Sequence, residues 1–486
     1  MTLAARVRML AVALALAALA ALPLACFSKG LAVSSTPKVF RAGAFAIDIT
    51  PTTFPIVVNG GMCERKATKV VDPLHARCLV LDDGATQIAI TVVDSCMIPR
   101  ALFDKAKALA HAATGIAPER MLMSATHTHS APSVCAILGS GQDDDYAKFL
   151  AAQIAKGIAA AQQRLAPARV GWAVAREPKN VFCRRFLMKP GTARTNPFGG
   201  TTNDQAQMNP GYLSPNAIKR TGPVDDAVTV LSLQTPDGKP LALLANYSTH
   251  YAGSAPLSGD YFAIFAANIA ERIGAKPPFV AMMSNGTSGD ANCCDFVHAR
   301  RTYNRFTVAR DVADAALEAY RTIAHRPWAS LAMAERRLTL GVRMPTPDEL
   351  AKAKAYIAAN GLDRRKPKTV PEVYALETLY MSQLPPTREL KLQAIRIGDL
   401  GITAIPNEVY GSTGLHIKAN SPFKPTLNVG LANGAEGYLA PPEQHKLGGY
   451  TTWRARSSCL ETEAEPKVAA VVLDLLREVA AHRARN

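Results

Sequence analysis

Three stretches of this chain repeat one order of apolar and polar positions. In the first, Leu79-Val80-Leu81, an Asp83-Gly84 turn and Gln87 to Val93 alternate as two paired strands that end at Asp94. A helical stretch over about 101–113 and an apolar strand over 121–125 follow. That strand–helix–strand order predicts a parallel crossover. The order returns with Val228 to Leu233, a Pro236-Asp237-Gly238 turn, Leu241 to Ala245, an apolar helix over about 261–273 and a strand over 279–283. A third hairpin runs from Leu390 to Ile397 and, past Gly398-Asp399, from Gly401 to Ile405. No repeat of fixed period accompanies this order. Thr346-Pro347-Asp348-Glu349 is a capping box with proline at its first helical position, and Asn360-Gly361 is a stop. Together they predict a helical insertion at about 345–385, and a last helix is expected over about 463–481. The expected fold class is α/β, with mixed sheets built from β-hairpins and βαβ crossovers.

The polar residues that end these runs carry the chemistry. Asp94, His127, His250, Asp290 and Glu408 each sit at the exit of an apolar strand. Ligands of α/β sheets bind beyond the carboxyl ends of strands. One such residue alone is ordinarily a loop cap or a hydrogen-bonded core group; five delivered by separate runs point to one shared site. The run Met123-Ser124-Ala125-Thr126-His127-Thr128-His129-Ser130 is the densest of these signals. If it stays extended, His127 and His129 point to opposite sides, one toward a metal and the other toward its surroundings. Two imidazoles and a carboxylate are a common ligand set for catalytic zinc, an ion that keeps one position open and acidifies water there. The chain has no His-Glu-x-x-His helix, so distant segments must assemble the set.

Composition adjusts this picture at its edges. Of the 486 residues, 48% are hydrophobic and 6% aromatic, as in a globular α/β protein. The net charge of +16 admits an acidic partner or a membrane surface. Its basic residues are dispersed, however, and the densest cluster, Arg364-Arg365-Lys366-Pro367-Lys368, reads as a solvated loop, so no nucleic-acid partner is expected. Arg6 and Arg8 before an Ala/Leu stretch read as a signal peptide over about 1–28, which predicts an exported, periplasmic or secreted protein. Leu22-Pro23-Leu24-Ala25-Cys26 also resembles a bacterial lipoprotein box, which would anchor the chain through Cys26. Residues 29–486 then form a single catalytic domain. The nine cysteines include no C-x-x-C pair, and adjacent Cys293-Cys294 read as buried filler before a thiol nucleophile.

With these residues in place, the chain resembles the neutral ceramidases and their wider superfamily. The likeness runs from about Ala42 to Cys459. Its anchors are Ser124 to Pro132, Asn246 to His250, Asn285 to Asn292, Pro406 to Glu408 and Asn433 to Tyr450. It implies a zinc ion held by His127, His250, Glu408 and Tyr438, the last in Asn433-Gly434-Ala435-Glu436-Gly437-Tyr438. It further implies that His129, Arg184 and Tyr450 touch the substrate, with Arg185 the alternative register for Arg184. Asp290 and Asn292 enter the catalytic set through the Gly289-Asp290-Ala291-Asn292 segment.

Two departures from the family pattern bear on substrate. Asn292 falls where ceramidases carry a serine beside the metal, and asparagine neither attacks nor shuttles a proton. Ceramidases also continue into a C-terminal β-sandwich domain, before which this sequence ends. The resemblance therefore implies an exported zinc-dependent hydrolase that cleaves an amide bond of an N-acyl lipid such as ceramide. Its partner is a lipid or small-molecule substrate, met at a membrane surface. Two alternatives stand beside it: a metal-retaining binding protein that has lost turnover, and a zinc hydrolase of a non-lipid substrate.

Overall fold

The computed structural model describes residues 38–198, 204–253 and 255–482. The signal-peptide and lipoprotein-box readings, Cys26 included, lie outside the described residues.

Each apolar block becomes one unit of four main strands, with the same topology each time. The first contains β1 (Arg41–Asp48), β2 (His75–Asp82), β3 (Gln87–Val93), α1 (Arg100–Thr114), β4 (Met121–Ala125) and α2 (Asp144–Gln163). Strands β1, β2 and β3 pair antiparallel, and the crossover through α1 lays β4 parallel to β3. The second contains β5 (Arg169–Arg176), β6 (Ala227–Gln234), β7 (Pro240–Tyr247), α3 (Asp260–Arg272), β8 (Val280–Asn285) and α4 (Arg305–Arg321). Its order is again two antiparallel steps and one parallel step. The third runs through β9 (Leu331–Gly341), α5 (Pro347–Ala359), α6 (Val370–Met381), β10 (Thr387–Ile397), β11 (Leu400–Ala404), α7 (Gly411–Asn420), β12 (Thr426–Val429) and α8 (Ala464–Ala481). It too ends in a parallel pair, β11 with β12. The fold is thus a mixed α/β architecture built from three like sheets, although the sequence shows no fixed period.

Why the strands are apolar almost throughout follows from their two faces. Leu79 and Leu81 of β2, Leu231 and Leu233 of β6, and Ile395 and Ile397 of β10 all enter one core shared by the three sheets. Their alternating neighbours face helices instead. Cys78 and Val80 pack with Phe103 of α1 and Ile154 of α2. Val228 and Val230 pack with Phe265 of α3 and Val312 of α4. Leu392 and Ala394 pack with Val468 and Leu476 of α8. A strand buried on both faces loses its polar alternation. The carboxyl ends of the central strands are left as the natural place for polar groups.

Helices α5 and α6 stand between β9 and β10, and each opens with a complete capping box, Thr346 with Glu349 and Thr369 with Glu372. Tyr374 of α6 packs in a T-shape on Trp453, with ring centroids 5.7 Å apart. That contact sets the start of α6 beside the polar ends of the sheets.

Candidate metal centre

Three strand exits, one from each unit, bring His127, His250 and Glu408 together. His127 follows β4, His250 follows β7, and Glu408 begins a two-residue strand, Glu408–Val409, after β11. Glu408 pairs in parallel register with Tyr438 of the strand Tyr438–Leu439, which sets the two side chains next to each other. The expectation that His127 and His129 face apart is corrected here. Strand β4 ends at Ala125, and His127 takes a left-handed backbone with φ of 72°. Extended alternation is lost, and the two Nε2 atoms approach to 3.2 Å. A positive φ at a non-glycine residue is strained and is commonest where function holds it.

The donor set fits a divalent cation. The Cys96 carbonyl lies 2.8 Å from His127 Nδ1 and the Ser288 carbonyl 3.2 Å from His250 Nδ1. A carbonyl only accepts, so each Nδ1 carries the proton and each Nε2 presents a lone pair. Arg184 Nη2 is farther from His250 Nδ1, at 3.5 Å, and already donates to the Gly289 carbonyl at 3.0 Å. The two Nε2 atoms nevertheless stand 3.0 Å apart, with Glu408 Oε2 at 3.4 Å from one and 3.9 Å from the other. Glu408 Oε2 is buried with no hydrogen-bond donor. Three lone pairs converging in a dry pocket repel unless a positive charge sits among them. Zinc bonds of about 2.0–2.2 Å in a tetrahedron put ligand atoms about 3.3–3.6 Å apart, close to what is seen. The Tyr438 hydroxyl lies against the same carboxylate and 3.4 Å from Arg184 Nη2.

With no cation present, a proton takes that place. Burial lowers the His127 imidazole, but the Cys96 sulfur and the Glu408 carboxylate outweigh it and hold the ring up to about 10. Burial first, then Arg184 and His127, pushes His250 well below its usual range. Burial, His127 and Arg184 do the same to His129. Tyr450 is pushed up to about 12 by burial and by Glu408. A divalent ion among these groups reverses the logic and favours every deprotonated ligand.

The other sequence-derived residues divide between the site and its supports. His129, Arg184, Tyr438 and Tyr450 line one cavity of about 470 Å³ with His250. Arg184 is the arginine that faces the site, because Arg185 is fully buried and donates to Gln444 and Thr451. Asp290 does not line the cavity. Its Oδ1 accepts from the Gly411 amide at the start of α7, and burial raises its carboxyl to about 6. Asn292 does not line it either; its Oδ1 accepts from the Cys294 amide and its Nδ2 donates to Asn209. Asp94 is fully buried in a two-oxygen ion pair with Arg77 and belongs to neither group of residues that could hold a metal among the described residues. Cys293 is buried, and burial pushes its thiol up to about 12.

Several cavity residues carried no sequence signal that we read. Tyr251 stacks on His129 at 3.8 Å, one residue beyond the Asn246–His250 run. Gly60 sits against the His129 ring with φ of 97°, and a Cβ there would meet the ring at 2.4 Å. The adjacent Gly60-Gly61 pair was the available hint. Arg194, Gln207 and Asn209 come from a segment with no periodicity, and Val370, Pro371 and Trp453 from the helical insertion and the chain after it.

No protein-family model and no curated protein matches the sequence. Solved structures do. The neutral ceramidase from Pseudomonas aeruginosa superposes with a TM-score of 0.66 at 16% identity, covering 92% of this chain and 75% of that one. A ceramidase complexed with C2 gives the same TM-score and identity over 91% of this chain and 75% of the other. At that identity the likeness speaks for architecture, and the chain has the fold of the neutral ceramidases.

Proposed function

We propose that this protein is an exported, zinc-dependent hydrolase that cleaves the amide bond of an N-acyl lipid. The observation that carries the proposal is the convergence of the His127 and His250 Nε2 lone pairs on the donor-less Glu408 Oε2, at the edge of a cavity holding a buried arginine. Bound zinc would supply Lewis acidity and acidify water at near-neutral pH. His127, His250, Glu408 and Tyr438 would hold it. Arg184, charged at every working pH, can donate to an oxygen that becomes negative as the carbonyl carbon turns tetrahedral. Tyr450 lines the same cavity with its ring 5.6 Å from that of Tyr438, and its hydroxyl keeps its proton to donate. His129, held neutral by burial, His127 and Arg184, lines the same cavity and can hydrogen-bond to substrate or water there. In the balanced reaction the carbon–nitrogen bond breaks, the acyl carbon gains water's hydroxyl and the amine gains its proton.

The test is turnover of a fluorogenic N-acyl amide panel with and without chelator, together with metal analysis of the purified protein. Chelator-sensitive hydrolysis is expected, with metal lost in His127→Ala and His250→Ala. Full metal content in both variants would overturn the ligand assignment. One observation favours a second reading, a metal-retaining binding protein: among the described residues no serine lines the cavity. Retained metal with no hydrolysis of any amide or ester would select it.

A further inference from the structure

One stretch of the cavity wall, from Arg194 to Asn209, offers hydrogen-bond donors and no acceptor charge. Gln207 and Asn209 both line it, and the hydrogen bonds fix which end of each amide is free. Gln207 Oε1 accepts from the Arg194 amide at 2.9 Å, and a backbone N–H only donates, so Gln207 Nε2 is the free end. The Asn292 Oδ1 is likewise fixed by the Cys294 amide at 2.8 Å. Asn292 Nδ2 must therefore donate to Asn209 Oδ1, at 3.2 Å, which leaves Asn209 Nδ2 free. Asn209 holds this position in a left-handed backbone, with φ of 52°. Arg194 lines the same wall, and among the described residues its guanidinium has no carboxylate partner. No aspartate or glutamate lines the cavity among the described residues. Apart from Glu408, carboxylates near this wall are turned to partners of their own: Asp204 to Trp453 Nε1, Glu64 to Lys366, and Glu372 to Arg365.

We infer that the substrate is an acyl amide bearing a carboxylate close to the scissile bond, read by Arg194, Gln207 and Asn209. Closeness follows from the backbone. The Asn209 amide donates to the Arg184 carbonyl at 2.7 Å, so the donor wall adjoins the arginine that reaches the metal ligands. Apolar Met62, Met208, Val370 and Trp453 complete the cavity and suit the acyl chain. Arg194 and Asn209 are exposed and Gln207 is half-buried, so water competes for all three; a neutral hydroxyl can accept from at most two of them, whereas a carboxylate can accept from all three with charge assistance. The inference rests on the amide-hydrolase reading for its reaction but not for its binding preference.

The experiment compares N-octanoylglycine with N-octanoylethanolamine, which share an acyl chain and differ in the carboxylate. Hydrolysis by the zinc-loaded protein and calorimetric binding are measured for both. We expect kcat/KM or affinity at least about tenfold in favour of the carboxylate, which accepts charge-assisted hydrogen bonds from the wall that the hydroxyl does not. Arg194→Gln should reduce that ratio about tenfold, whereas exposed Lys148→Gln, an equal change in net charge, should leave it in place. If neither compound is hydrolysed yet the carboxylate still binds preferentially and Arg194→Gln abolishes the preference, the inference stands and the hydrolase reading falls. Equal treatment of the two compounds, preference for the neutral one, binding of neither, or the same loss in Lys148→Gln would overturn it.

Discussion

At the scale of single residues, the chemistry turns on which group holds a positive charge. His127 binds a proton up to about pH 10 when no cation is present, with the Cys96 sulfur and Glu408 overcoming the cost of burial. A divalent ion entering at pH 7 must displace that proton. Affinity should therefore rise with pH toward about 10, and calorimetry in buffers of different ionisation enthalpy should report about one proton released per ion. Binding with no proton release would contradict this. Lys107 poses the opposite problem, a buried amine whose Nζ has no hydrogen-bond partner. Burial, then Lys391, lowers it to about 7. Folding favours its neutral form, so its contribution is most favourable above the unfolded value near 10.4 and worsens as pH falls toward 7. Replacing Lys107 with methionine should raise stability by a few kcal/mol at or below pH 7 and gain little above pH 10, because each tenfold loss of proton affinity on folding costs about 1.4 kcal/mol. Denaturant titrations of both proteins across that range measure the difference.

Among the elements, the helical insertion is where local signals and the site meet. Thr369 caps α6, and the next two residues, Val370 and Pro371, line the cavity. Thr369→Ala should cost about 0.5–2 kcal/mol by thermal denaturation and loosen that wall; an unchanged midpoint would show that the cap is dispensable. The insertion was readable because Thr346-Pro347-Asp348-Glu349 spells its own start. The hairpins were readable for a like reason, since Asp83-Gly84 and Pro236-Asp237-Gly238 demand turns between alternating runs. Polar residues at strand exits were readable against apolar strands. What they touch was not. Asp290 and Asp94 carry the same signal as Glu408, yet one holds the Gly411 amide and the other Arg77, because strand exits also need caps and ion pairs. The left-handed turn at His127 left no mark in the sequence, and the Gln207–Asn209 donor wall depends on backbone contacts far along the chain.

For the whole molecule, three like units around one core each contribute to the proposed ligand set, the third with both Glu408 and Tyr438. His127, His250 and Glu408 each come from a different unit, so a cation shared by them ties the three sheets together. The threefold plan was hidden because packing constrains only which face of each strand is apolar, and Leu79, Leu231 and Ile395 satisfy that alike without resemblance in sequence around them. Since the ion binds the folded state alone, it should raise the thermal midpoint, by about 2.7 kcal/mol of stability at a hundredfold excess over Kd. A chelator should remove that gain in the parent protein and have no effect in His250→Ala. The most direct test of the shared-cation claim is a crystal structure of the zinc-loaded protein with anomalous data at the zinc edge. The account predicts one peak, about 2.0–2.2 Å from His127 Nε2, His250 Nε2 and Glu408 Oε2 together. Zinc bound elsewhere, with no peak among those three atoms, would contradict it.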